Sequence, residues 1–163
     1  MTATTQAEQH QAGALKAPAD NHALYDQDLC AWANHNAALL REGRFDRLDV
    51  EHIIEELTDM SKSDQRAIYS HLRNLLMHLL KWQFQPTKRG VSWQITMINA
   101  RQDIDRIVTD SPSLRPLIGG ELHNAYAQAR RLASVETQMP LKTFPELCPF
   151  ELNHVLDENW LPK

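Results

Sequence analysis

Apolar residues recur at helical spacing along most of the chain after residue 20. Tyr25, Leu29, Trp32, Leu39 and Leu40 mark a first helix, with Asn21 or Asp26 placed to cap its start and Gly43 to stop its end. The strongest pattern lies in residues 49–93. Ile53, Leu57 and Met60 form one stripe there, and Ile68, Leu72, Leu75, Leu79 and Trp82 form a second. Residues 58–63 between the stripes are polar and poor in helix formers, which predicts two helices meeting near Ser61. Ser63 or Asp64 would restart the second, and Pro86 would end it. Val91, Trp93, Ile95 and Met97 alternate with polar residues as a strand would. The longer match belongs to a helix carrying Trp93, Met97, Ala100, Ile104, Ile107 and Val108 on one face, with Ser92 as its cap. A further stripe follows at Leu114, Ile118, Leu122, Tyr126, Ala129 and Ala133, where Gly119 and Gly120 make a kink conceivable. Prolines 140, 145 and 149 then impose turns before one short helix over residues 151–156. The expectation is an all-α, single-domain bundle of five or six amphipathic helices over residues 21–163.

Several polar groups fall inside these stripes. Glu56 is three after Ile53 and four before Met60, while His71 and His78 share spacing with Ile68, Leu75 and Trp82. A carboxylate and two imidazoles therefore point towards a core. His71 and His78 lie two turns apart, about 10 Å along a helix, too far to share one ion. His52 and Glu56 do have i, i+4 spacing, so His52, Glu56 and His78 from a neighbouring helix are the candidate metal ligands. The alternative is a core histidine hydrogen-bonded to Glu56. Arg101 flanks the stripe of its own helix, with Glu56 or Asp28 as an internal partner. Glu56, His78, Trp82 and Arg101 thus make a candidate buried polar cluster. Lys88, Arg89 and Trp93 surround the following loop, an arrangement that could grip an anion or a partner, or close the end of a helical core.

Composition narrows the classes. The 163 residues are 42% hydrophobic and 23% charged, which suits one ordinary globular domain and excludes disorder throughout. A formal charge of −4 gives no overall pull towards nucleic acid or an anionic membrane. Cys30 and Cys148 have no C-x-x-C spacing, which speaks against a structural zinc site and fits a reducing cytoplasm. Residues 1–20 have neither a basic start nor an apolar run and are expected to form a disordered tail. No segment has the apolar length of a membrane span.

The segments YDQDLCAW (residues 25–32), EGRFDRLDVEHIIEEL (42–57) and HLLKWQFQP (78–86) together resemble the bacterial family known only as domain of unknown function 29. Ser92-Trp93, DSPSL (110–114), TFPELCP (143–149) and Val155-Leu156-Asp157 continue the likeness in order, over about residues 25–162. The resemblance implies an all-helical fold and brings no activity. His52, Ser61 and Phe150 stand where the pattern usually carries asparagine, glycine and tryptophan, so it assigns His52 no role.

No G-x-S-x-G elbow or paired nucleophile and base accompanies the helical pattern, and the paired Glu-x-x-His motif of di-iron bundles is absent. The sequence therefore leaves the function unknown. It favours a cytoplasmic helical binding or regulatory module acting through a partner protein or small ligand, with no cofactor. The alternative is a metal-dependent helical-bundle enzyme using a divalent metal held by Glu56 and His78, joined by His52, with Arg101 or Arg89 orienting an anionic substrate. Nucleic-acid binding around Trp82 and Trp93 is the least favoured reading.

Overall fold

The structure, a computed structural model, describes residues 21–163; the expected N-terminal tail lies outside the described residues. Among the described residues six α-helices run in order: α1 (Asn21–Gln27), α2 (Leu29–Arg41), α3 (Val50–Phe84), α4 (Val91–Asp110), α5 (Arg115–Thr137) and α6 (Leu152–Leu156). Four 3₁₀ turns join them, and no strand occurs among the described residues. The all-α expectation holds, including the helix rather than strand at Trp93. The chain divides into two compact units, one ending at Leu57 and the other beginning at Thr58.

The first unit comprises α1, α2 and the opening turns of α3. The single first helix read from the sequence is two, because Asp28 adopts extended geometry (φ −156°, ψ 91°) and caps α2 by accepting from the Ala31 N–H at 2.9 Å. Gly43 closes α2 as expected. Its φ of +71° lets the Gly43 N–H reach the Leu40 carbonyl and the Arg44 N–H reach that of Leu39, so two end carbonyls are satisfied at once. Trp32 and Leu39 are buried, whereas Leu29 and Leu40 are about half exposed.

α3 is one helix across the expected break at Ser61. Residues 58–63 contain no glycine or proline, and a Lys62–Asp59 ion pair and a Gln65–Ser61 hydrogen bond support the helix surface there. A helix end would leave up to four donors or acceptors to be capped and demand a fresh nucleus beyond. A few unfavourable side chains cost only some tenths of a kcal/mol each. Continuity is the cheaper solution. The stripe Ile53, Leu57 and Met60 does not form a core. Leu57 and Met60 are 62% and 67% exposed, and Ile53 and Glu56 are only partly covered.

The second unit carries the main core. Ile68, Leu72, Leu75, Leu76, Leu79 and Leu80 of α3 are fully buried against Met97, Ala100 and Ile104 of α4 and Ile118, Tyr126, Ala129 and Ala133 of α5. Burial of each large side chain contributes about 1.5–3 kcal/mol. α4 starts one residue before the expected cap, with Gly90 rather than Ser92 in the capping position. α5 runs unbroken through Gly119 and Gly120; a Cβ at Gly119 would touch Leu152 of α6 at an ordinary 3.7 Å. The proline-rich segment is pinned by α5, since Tyr126 donates to the Pro145 carbonyl (2.7 Å) and Arg130 to that of Phe144 (3.0 Å). Burial pushes the Tyr126 phenol up to about 12, which keeps this donor protonated.

Candidate functional site

The polar side chains of the first unit converge on Asp49, the residue before α3. It stands where a helix cap would, its Oδ1 facing the His52 N–H at a long 3.5 Å. It does more than cap. Its side chain is 6% exposed, and its Oδ2 accepts from the Trp32 indole N–H (3.0 Å) and pairs with His52 Nδ1 (2.7 Å). His22 of α1 brings Nδ1 to 3.8 Å from Oδ1. The Asp49 main-chain N–H donates to Asn36 Oδ1 (3.1 Å), and Asn36 is held in turn by Asn21 and by the Trp32 carbonyl.

Aromatic rings enclose the pair. Tyr25 stacks on the His52 ring at 3.8 Å and 15°, with its edge towards Trp32, and the His22 ring lies 4.2 Å from His52. The Tyr25 hydroxyl donates to Glu56 Oε1 at 2.6 Å. Glu56 therefore takes a tyrosine partner and helps fix the ring that covers His52. Burial alone would raise the Asp49 carboxyl, but hydrogen bonds from His52 and Trp32 outweigh it and hold it below the usual carboxylate range. The bond to Asp49 raises His52 above its usual value, against the effect of desolvation. The contact thus favours a charged His52 ring beside a charged Asp49 carboxylate.

The other residues singled out in the sequence have partners within the second unit. His78 is buried, and its Nδ1 donates to the Asn74 carbonyl at 2.9 Å; burial lowers its pKa, favouring the neutral ring. Arg101, 3% exposed, directs Nε to the Val155 carbonyl (2.8 Å), Nη2 to that of Trp160 (2.9 Å) and Nη1 towards that of Glu158 (3.5 Å). Desolvation lowers its pKa, opposed by Asp157 and Glu158. Its guanidinium staples the C-terminal segment. Trp82 is covered by the Arg89 guanidinium at 5.2 Å, with Arg89 Nε also bonded to the Trp82 carbonyl. Lys81, paired with Glu136, lies 4.6 Å over the Trp93 ring. One face of each indole is therefore taken by a cation of the chain itself, while Lys88 is exposed. Cys148 donates to the Phe150 carbonyl, and burial pushes its thiol up, away from nucleophilic chemistry.

Two concavities accompany these groups. The larger, about 730 Å³, lies among α4, α5 and α6, with Ile104, Val108, Ile118 and Leu152 among its lining and charges of both signs at Asp105, Arg106, Asp110 and Arg115. Arg101 also borders it, but with its guanidinium nitrogens directed to main-chain carbonyls of the C-terminal segment. The smaller, about 180 Å³, belongs to the first unit and is lined mainly by apolar residues: Trp32, Ala33, Ala37 and Leu40 of α2, and Ile53 and Leu57 of α3. Its Trp32 is the one anchored on Asp49.

The sequence model of the family described as Domain of unknown function DUF29 matches residues 24–161, nearly the whole chain. The chain belongs to the DUF29 family. That description assigns the family no function. No curated protein and no solved structure matches the chain. In this DUF29 chain the sequence marks His52 and Glu56 as candidate site residues and Tyr25 and Trp32 only as members of an apolar stripe; it assigns no site role to Asp49 or His22. The available signal was the Asp49-x-x-His52 spacing, which places a carboxylate and an imidazole on one side of a helix start. His22 and Tyr25 reach the same point only through the fold of α1.

Proposed function

We propose that this DUF29 chain is a binding module whose first helical unit receives an amphipathic, basic helix of a partner protein. The carrying observation is the apolar groove between α2 and the start of α3, with Trp32, Ala33, Ala37 and Ile53 in its lining and Leu40 and Leu57 on its exposed side. Phe45 (66% exposed) and Val50 add further exposed apolar side chains to the same unit. Charge selects the partner. Residues 21–57 carry eight Asp or Glu against three Arg, a net of −5 with histidine neutral, although the whole chain stands at only −4. An apolar helix face flanked by Lys and Arg would complement both features. Phosphate-bearing partners are disfavoured by the same charge. The polar cluster supports this reading by anchoring Trp32, through its indole N–H, at the groove. The two free cysteines support a reducing, cytoplasmic setting.

Fluorescence anisotropy with a labelled amphipathic helix bearing Leu on one face and Lys on its flanks tests the proposal, against a control with Glu in place of Lys. Saturable binding of the basic peptide only is expected, weakened about ten-fold or more by Leu57→Asp, which loses roughly 1.4 kcal/mol or more of apolar contact. Equal binding of both peptides, or indifference to Leu57→Asp, would overturn it. Concentration-dependent dimerisation abolished by Leu57→Asp would replace the partner with a second copy of the chain.

A further inference from the structure

We infer that His22, Asp49 and His52 form a binding site for one divalent transition-metal cation of the zinc class. Each offers one ligand atom, and these three atoms lie within 4.8 Å of one another. They come from α1, from the residue before α3 and from its first turn, so the fold and not the local sequence assembles them.

The donor set and its surroundings fit such an ion. Two imidazoles and a carboxylate are ligands that zinc takes at about 2.0–2.2 Å, whereas calcium and magnesium select oxygen ligands. Tetrahedral bonds of that length put neighbouring ligand atoms about 3.3 Å apart. His52 Nδ1 lies 2.7 Å from Asp49 Oδ2 and His22 Nδ1 3.8 Å from Asp49 Oδ1, on either side of this value, so modest side-chain rotations would bring one oxygen and the two nitrogens round an ion. Outer groups already orient the ligands as metal sites require. The Trp32 N–H fixes Asp49 Oδ2, Asn36 fixes the Asp49 main chain, and Tyr25 fixes the plane of His52. Asp49 is buried while the His22 side chain is 60% exposed, leaving a solvent-facing side where water completes the coordination. Binding requires His52 to present an unprotonated Nδ1, so the ion takes the place of the present Nδ1 contact with Asp49. This assignment stands apart from the helix-binding groove and does not depend on it.

The test is isothermal titration of the full chain with Zn²⁺ alone at neutral to slightly alkaline pH, followed by Co²⁺ absorption spectroscopy. One saturable equivalent per chain is expected, with visible Co²⁺ bands of tetrahedral or five-coordinate intensity and no response to Mg²⁺ or Ca²⁺. His22→Ala, at an exposed position that leaves folding intact by circular dichroism, and His52→Ala should each weaken Zn²⁺ binding about ten-fold or more. His123→Ala, an exposed histidine of α5, should leave it unchanged. Absence of saturable binding, or binding that His22→Ala does not weaken, would refute the site.

Discussion

Asp49 gathers more chemistry than any other residue of the first unit, because it is buried, charged and surrounded by donors. Its pair with His52 makes stability depend on pH in a defined way. The Asp49 carboxyl is lowered on folding, so its contribution is present above the ordinary carboxylate value and lost as pH falls through the depressed one. The His52 imidazole is raised, so its contribution is complete below about 6.5 and lost as pH rises through the elevated value. Urea midpoints of wild type and His52→Gln should therefore differ most between about pH 4 and 6.5 and converge in alkali. A gap that stays constant from pH 5 to 9 would show that the pair does not titrate as described. At this scale the sequence revealed candidates without their partners. His78 and Arg101 are correctly read as inward-facing, yet one spends its donor on the carbonyl four residues back and the other on three carbonyls of the C-terminal segment. Main-chain carbonyls are invisible to a search for side-chain pairs.

Among the elements, helices were legible wherever an apolar stripe met a core, and their ends less so. The second stripe of α3, and those of α4 and α5, are buried as their spacing predicts. The boundary between α1 and α2 escaped the pattern because apolar spacing continues through Asp28, whose extended backbone and capping carboxylate interrupt the helix locally. Asp28→Ala removes the acceptor for the Ala31 N–H and should cost about 1 kcal/mol. Asp28→Asn, which keeps an acceptor, should lose much less. Equal urea midpoints for wild type and the alanine variant would contradict the capping role. The opposite error occurred in α3, where polar residues suggested an end. Helix propensity is weak beside the cost of leaving terminal donors and acceptors unsatisfied, so a polar stretch without glycine or proline stays helical.

For the whole molecule, the contrast is between a second unit with a fully buried core and a first unit organised by hydrogen bonds, ring stacking and a partly covered apolar face. Local opening should follow that contrast. Native-state hydrogen exchange is expected to show the amides of residues 72–80 more protected than those of residues 51–57, although both lie on α3; equal protection would remove the distinction. Among the described residues no helix is long and apolar enough to cross a membrane.

The sequence by itself determined the all-α class, the family, and the faces of the helices that meet the main core, because each rests on local spacing or matched segments. Only the tertiary structure decided that Ile53, Leu57 and Met60 do not form a buried stripe. It alone brought His22 and Tyr25 to Asp49 and His52. Helical periodicity states which side chains share a face, but not whether another element covers it. Residues separated by some thirty positions meet only where turns such as those at Asp28 and Gly43 redirect the chain.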